Sequence, residues 1–275
     1  MRFLGDVTMK LTKDDLDKIR YDGFMLVDQV DLSTGSYYYK FCNINSRFME
    51  LLGQKVFNMV GIKSADYYYV QEKGCLLSKD LNTDNRMFNC YDLYIMRANT
   101  MNQVMSGLDR LSIKDGYKVD KAKLQVEIMH FIDILFSNID RHIGNFRFYI
   151  HEDGELELVL LDNEYFLQNF KIATRPMVCS DDEIEEKDFM CVSKRYEAMK
   201  FFEIISDELR ALIPKYLELF SPDRVEVMLN TIEEEQCLGW PLKRYSLRQY
   251  KKNYKMVCKL FGIEKKSIFG RTLKK

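Results

Sequence analysis

The stretch SNIDRHIGNFRFYIHEDGELELVLLD, Ser137 to Asp162, puts an acid, a histidine and an amide into a short loop and follows them with two alternating apolar runs. Phe146, Phe148 and Ile150 alternate with other residues, Asp153-Gly154 is a strong two-residue turn, and Leu156, Leu158 and Leu160 alternate back, which predicts a β-hairpin. With Asp153 and Gly154 as the two turn residues, the register sets Asn145 opposite Asp162. Directly opposed residues of an antiparallel pair have Cβ atoms about 4.5–5.5 Å apart. An amide oxygen and a carboxylate at that spacing can share one hard cation, Mg²⁺ or Mn²⁺. Asp140, in the loop feeding the hairpin, is then left to orient and deprotonate a hydroxyl, and His142 to brace the loop by hydrogen bonding. Each residue alone is explained as well by a local cap or turn. Three of them converging on one point favour a shared site.

Outward from this stretch, Leu124, Ile128, Phe131, Ile132, Leu135 and Ile139 recur at helical spacing, predicting one buried face of a helix that aims the loop. Further on, Ser221-Pro222 reads as a helix start with proline in its first position, and RYSLRQYKKNYKMVCKLFG reads as a last helix closing at Gly262. The acidic run SDDEIEEKD, Ser180 to Asp188, reads as a solvated helix start with carboxylates at the positive end of the dipole. Toward the N-terminus the pattern changes. FMLVDQV, SYYYKF and SADYYYV are aromatic and β-branched runs broken by turn residues, with one helix, INSRFMELLGQKVFNMVG, between them and Gly61 at its expected C-cap. A sheet-rich part precedes a mostly helical one, an α+β chain.

Composition bounds the partners. The 275 residues are 47% hydrophobic and 30% charged, as in a folded globular chain. The 41 basic and 42 acidic residues leave a formal charge of −1, so no overall pull toward nucleic acid or an anionic membrane is built in. Cys42, Cys75, Cys90, Cys179, Cys191, Cys237 and Cys258 include no Cys-x-x-Cys pair and are odd in number, which speaks against a disulfide framework or zinc site and for a reducing compartment. The N-terminal residues lack a signal-like apolar core, and no run approaches the roughly 18 apolar residues of a membrane span. A cytoplasmic protein is expected, with export as an effector left open.

NIDRHIGN followed by LVLLDNEYFL resembles the catalytic and metal-binding loops of HipA-like serine/threonine kinases, particularly the compact CtkA-like branch. The Asp-x-His-x-x-Asn spacing is also similar to the catalytic loop of phosphoinositide 3-kinase-like enzymes. The resemblance implies a bilobal protein-kinase-like fold, Asp140 as catalytic base, Asn145 and Asp162 as metal ligands, and ATP with Mg²⁺ (or Mn²⁺) as cofactors. Asn163 continues the Asp-Asn pair of the CtkA-like branch, but Glu164 stands where a glycine is usual.

A kinase also needs a phosphate-cradling turn, a lysine on the next strand and a glutamate on a nearby helix. VDLSTGSYYYKF supplies Ser33, Thr34, Gly35 and Ser36 between two strands and then Lys40, and Glu50 lies in the helix that follows. Small-residue turns let backbone N–H groups approach phosphate oxygens, and the lysine adds a point charge. CLLSKDL resembles the strand leading to the interlobe hinge, placing Leu77, Ser78 and Lys79 at the adenine. With His142 and Asn145, these complete the ATP-binding set. The lobes divide at residues 1–80 and 81–275.

The expected activity is transfer of the γ-phosphate of ATP to a protein serine or threonine. As the family is known for autophosphorylation on a serine of the phosphate loop, Ser33, Thr34 and Ser36 are candidates for self-regulation. The alternatives are a lipid or small-molecule kinase, and a nucleotide-binding pseudokinase that serves as an interaction module. A metal-dependent hydrolase on Asp140, His142 and Asp162 would want more ligands than three histidines in the chain readily offer. The expected partner is a protein substrate. An antitoxin-type partner is left open, and DNA binding is not carried over, since the short segment before the first strand does not match HipA's extra N-terminal subdomain.

Overall fold

A computed structural model describes residues 11–20, 27–82, 84, 86–88, 101–138, 140–167, 201–237 and 239–263. The acidic run at 180–188 lies outside them, as do Ile139 and residues 24–26 of the run FMLVDQV. Strands β1 (Val27–Leu32), β2 (Gly35–Phe41), β4 (Tyr67–Val70) and β5 (Cys75–Lys79) form an antiparallel sheet in the order β1-β2-β5-β4. Leu32 pairs with Gly35, so Ser33 and Thr34 are a two-residue turn; neither has positive φ, and Gly35, which follows them, has a φ of 134° that glycine adopts most readily.

Helix α1 (Lys13–Lys18) opens with a Thr12–Asp15 capping box. Leu11, Leu16 and Ile19 pack with Val30, Leu32, Tyr37, Tyr39 and Leu77 into a small apolar core. Helix α2 (Ile44–Met59) starts where the Asn43 side chain accepts the Ser46 N–H at 3.0 Å. It ends as expected, with Gly61 just beyond the C-cap at φ +78°.

A second sheet has the order β3-β8-β7-β6 and draws its strands from both halves of the chain: β3 (Lys63–Ser64) and β6 (Met87–Phe88) flank the hairpin β7 (Phe146–Ile150) and β8 (Leu156–Leu160). The helical part comprises α3 (Met101–Asp115), α4 (Asp120–Phe136), α5 (Asp207–Leu219), α6 (Pro222–Gln236) and α7 (Lys243–Leu260). Ser221 and Pro222 begin α6, and Gly262, at φ +63°, follows the last helix.

Two expectations need correction. Helix α4 is buried around its whole circumference from Gln125 onward, while Leu124, assigned to the buried face, is only partly covered. Two of its polar residues are paired across to other elements: the Gln125 Oε1 accepts the Leu158 N–H at 2.8 Å, and Glu127 accepts the Ser206 N–H at 3.1 Å. The hairpin forms, but its register is one residue away from that of a two-residue turn. Phe146 pairs with Leu160 and Ile150 with Leu156, so Asn145 lies opposite Leu161, whose N–H it accepts at 2.9 Å. A type I′ turn requires positive φ at both central residues, and only Gly154, at +79°, has it. Instead His151 donates its N–H to Glu155 O at 2.9 Å, closing a three-residue loop with glycine in its last position.

No helix among the described residues is long and apolar enough to cross a membrane. Cys42, Cys75, Cys237 and Cys258 are free thiols.

Candidate active site

Lys40 on β2 points into the junction of the two sheets. Its ammonium lies 2.7 Å from Glu50 Oε1, 2.8 Å from Glu164 Oε2 and 3.0 Å from Asp162 Oδ2. Glu50, wholly buried on α2, uses its other oxygen to accept the Asn163 N–H at 2.7 Å. One carboxylate thereby ties β2, α2 and the segment after β8 together. Helix α2 is anchored in turn on the C-terminal helices: Phe48 stacks on Trp240 at 5.5 Å, Trp240 Nε1 donates to Asn45 Oδ1 at 3.0 Å, and Lys55 meets Glu235 at 3.0 Å.

Burial alone would lower the Lys40 ammonium, but Glu50, Asp162 and Glu164 outweigh it and hold it well above lysine's ordinary value. Glu50 is pushed up, first by burial and then by the Asp162 charge, against the pull of Lys40. Burial also presses Asp162 upward, yet Lys40 and the Glu164 N–H, 3.0 Å from its Oδ1, bring it below the ordinary carboxylate range.

Arg141, between the acid and histidine of the loop, is fully buried and serves as the floor of the site. It grips both Asp133 oxygens, at 3.0 and 3.1 Å, and donates to Asp162 O and Asn163 Oδ1, each at 2.8 Å. The end of α4, the loop that carries Asp140 and His142, and the segment after β8 are held by one guanidinium in its fixed planar geometry. Removing either member of such a buried pair would strand a charge, at a cost of about 3–5 kcal/mol. Asn138 completes the corner, donating to Asp133 Oδ1 at 3.0 Å and accepting the Asp140 N–H at 3.2 Å.

Asp140 itself is half exposed, with His142 Nε2 at 3.9 Å from its carboxylate. Asn145 Nδ2 donates to Asp140 O at 2.5 Å, and His142 Nδ1 accepts the Gly144 N–H at 2.9 Å. Gly144 is needed there, because a Cβ would come within 2.6 Å of the His142 ring. Partial burial raises the Asp140 carboxyl, with Asp162 and Glu164 adding to the rise and His142 and Asn145 opposing it. A carboxylate so poised is a better proton acceptor than a solvated one.

The structure thus brings Lys40, Glu50 and Asp162 into direct contact and keeps Asp140, His142 and Asn145 in one bonded loop. Asn145 joins the first group through Leu161, the residue before Asp162. The turn is engaged elsewhere: Ser33 donates its N–H and its hydroxyl to the Asp15 carboxylate, both at 2.7 Å, and Ser36 Oγ bonds Asp31. Thr34 Oγ1 donates to the Tyr37 hydroxyl at 3.1 Å. Leu77, Ser78 and Lys79 lie on β5, paired with Tyr39, Tyr38 and Tyr37 of β2. Arg141, Asp133, Asn163 and Asp15 were not among the residues expected at the site. The one signal for the first pair was a charge inside the apolar run IDILF, which burial obliges to find a partner.

The oxygens of Glu50, Asp162 and Glu164 lie within 4.8 Å of one another. Hard carboxylate donors at that spacing fit Mg²⁺ or Mn²⁺, and the Lys40 ammonium now occupies their centre as a cation.

No protein-family model matches the chain, and no curated protein matches it in sequence. Among solved structures, the proinflammatory kinase CtkA of Helicobacter pylori superposes with a TM-score of 0.50 at 15% identity, covering 86% of this chain and 92% of that one. HipA of Shewanella oneidensis MR-1, solved with HipB and operator DNA, superposes with a TM-score of 0.53 at 13% identity, covering 93% of this chain and 68% of that one. The fold is that of the HipA- and CtkA-like kinases. Identities this low establish the fold alone, so function has to be argued from the site.

Proposed function

We propose that the chain is an ATP- and Mg²⁺-dependent kinase that transfers the γ-phosphate to a serine or threonine hydroxyl of a protein. The observation that carries this reading is the contact of Lys40 on β2 with both Glu50 of α2 and Asp162, which lies far along the chain in the segment after β8. In phosphoryl transfer the lysine meets nucleotide phosphates, the glutamate holds it, and the aspartate binds the metal that bridges those phosphates. Asp162, with Asn145, would hold Mg²⁺, which neutralises charge developing on the phosphoryl oxygens when bound. Asp140 would orient the attacking hydroxyl and accept its proton, with His142 bracing its loop.

The turn at Ser33–Ser36 would cover the phosphates and the β5 backbone at Leu77–Lys79 would meet the adenine. A phosphate on that turn, adding about −1.5 to −2 charges, would repel nucleotide and switch the enzyme off. HipA was solved with HipB and operator DNA, which makes an antitoxin-type protein a partner to test here beside a protein substrate.

Radiolabelled ATP, Mg²⁺ and a mixed protein extract provide the assay. Wild type should label protein, and Asp140→Asn should bind nucleotide unchanged while transferring phosphate about 10²- to 10⁴-fold more slowly. Equal labelling by the two proteins would remove Asp140 from the chemistry. Label found only in lipid or small molecules would replace the substrate class.

A further inference from the structure

Asp162 stands between two rigid peptide planes, and the aim of its carboxylate follows from how both are held. The plane after it is fixed at both ends, by Arg141 donating to Asp162 O at 2.8 Å and by Glu50 accepting the Asn163 N–H at 2.7 Å. The plane before it carries the Leu161 carbonyl. That oxygen accepts the hydroxyl of Tyr67, a residue of the first sheet.

Tyr67 opens β4 and pairs with Ser78 of β5, which pairs in turn with Tyr38 of β2. Because side chains alternate along a strand, this row shares the face of the sheet that carries Lys40. The Tyr67 main chain is tied to α2, since its N–H donates to Gln54 Oε1 at 3.2 Å, and Gln54 Nε2 donates to Asp66 Oδ1 at 3.0 Å. Gln54 lies about one helical turn beyond Glu50, on the same side of α2. The helix therefore reaches Asp162 twice. Glu50 holds the plane that follows the aspartate, and Gln54, through Tyr67, holds the plane that precedes it.

The phenol suits this task. Burial, and after it the charge of Glu50, keep its hydroxyl well above the ordinary tyrosine value, so that it stays a protonated donor to a carbonyl at neutral pH.

We propose that Tyr67 is a positioning residue for the metal ligand Asp162: its hydroxyl sets the aim of the carboxylate and couples the place of α2 to cation binding. This rests on the kinase reading and adds to it a residue that acts through Asp162. Groups that orient a metal ligand typically matter by about 10- to 100-fold in metal affinity. A hydroxyl that merely satisfied a carbonyl would affect stability and leave the response to metal unchanged.

Mg²⁺ titrations of the full chain at fixed ADP, read as nucleotide binding, test this without turnover. Tyr67→Phe removes the hydroxyl and keeps the ring. The Mg²⁺ concentration that gives half of the tightening of ADP should rise about 10- to 100-fold, with ADP affinity in EDTA unchanged. Tyr68→Phe takes a hydroxyl from the other face of the same strand, where the ring packs on the small core with α1, and should keep the wild-type midpoint. If Tyr67→Phe melts too early to titrate, Gln54→Ala takes its place: it releases the Tyr67 main chain and should move the midpoint in the same direction. A wild-type midpoint in the variant titrated overturns the positioning role and leaves the kinase reading intact. So does an equal loss of ADP affinity with and without Mg²⁺, or a shift as large in Tyr68→Phe. Wild type that binds no ADP even with Mg²⁺ overturns both.

Discussion

Asp15 shows how much one carboxylate can fix. It is buried at the start of α1, accepts the N–H and hydroxyl of Ser33, and also accepts the N–H and hydroxyl of Thr12 at 3.0 and 2.8 Å. The Ser33 hydroxyl, then the Ser33 amide and the Thr12 amide, hold its carboxyl well below the usual carboxylate range. Because the folded value is depressed, the stabilisation is present above the ordinary aspartate value of about 3.9 and is lost as pH falls below it. Asp15→Asn should therefore melt below wild type at neutral pH, with the gap closing in acid. Hydrogen exchange at the Ser33 amide should quicken in the same variant. A gap of constant size across the titration would mean that the carboxylate's charge plays no part. The consequence for the proposed phosphate turn is specific: the amide that opens it is already bonded to the Asp15 carboxylate.

Among the elements, α2 and the segment after β8 approach unusually closely. A Cβ on Gly53 would lie 2.3 Å from the Asn163 Cβ and 2.6 Å from its Cγ. In a solvent-facing helix, glycine to alanine gains about 1 kcal/mol. Here Gly53→Ala should reverse that sign and destabilise by about 1–3 kcal/mol through overpacking, since Asn163 is held by Arg141 and by Ser64 Oγ at 3.3 Å. It should also loosen the Asn163 N–H bond to Glu50 and weaken nucleotide binding. A more stable variant with unchanged binding would refute the close approach.

Glycine in the middle of a helix gave no warning of this in the sequence, because the partner lies far along the chain. Asp133 inside an apolar run signalled a buried charge in need of a partner, but that Arg141 supplies it and also bonds Asp162 and Asn163 required the fold. Elements with local signatures were legible: Gly61 and Gly262 after their helices, Ser221-Pro222 opening α6, the alternation of β7 and β8. The hairpin's register was not, since it depended on whether Asp153 would take a positive φ. Glu164 was visible as a departure from the kinase pattern, but its reach to Lys40 required the fold.

At the scale of the whole molecule, Lys40 is the only cation the structure sets within 3.0 Å of Glu50, Asp162 and Glu164 among the described residues, and it joins the first sheet to the end of the second. Lys40→Ala leaves three acidic groups facing one another. Breaking a buried pair in this way costs about 3–5 kcal/mol, and in chains of 150–250 residues each kcal/mol lowers Tm by about 2–4 °C. The variant should thus melt roughly 6–20 °C below wild type in EDTA, by the product of those two ranges. Mg²⁺ alone should then restore part of the loss, because it can occupy the position the ammonium vacates, and should do so at lower concentration than in wild type, where the ammonium competes. Calorimetric scans of both proteins over a Mg²⁺ series decide the matter. An equal response of the two to Mg²⁺, or a variant as stable as wild type in EDTA, would show that the carboxylates do not depend on Lys40 to hold the two sheets together.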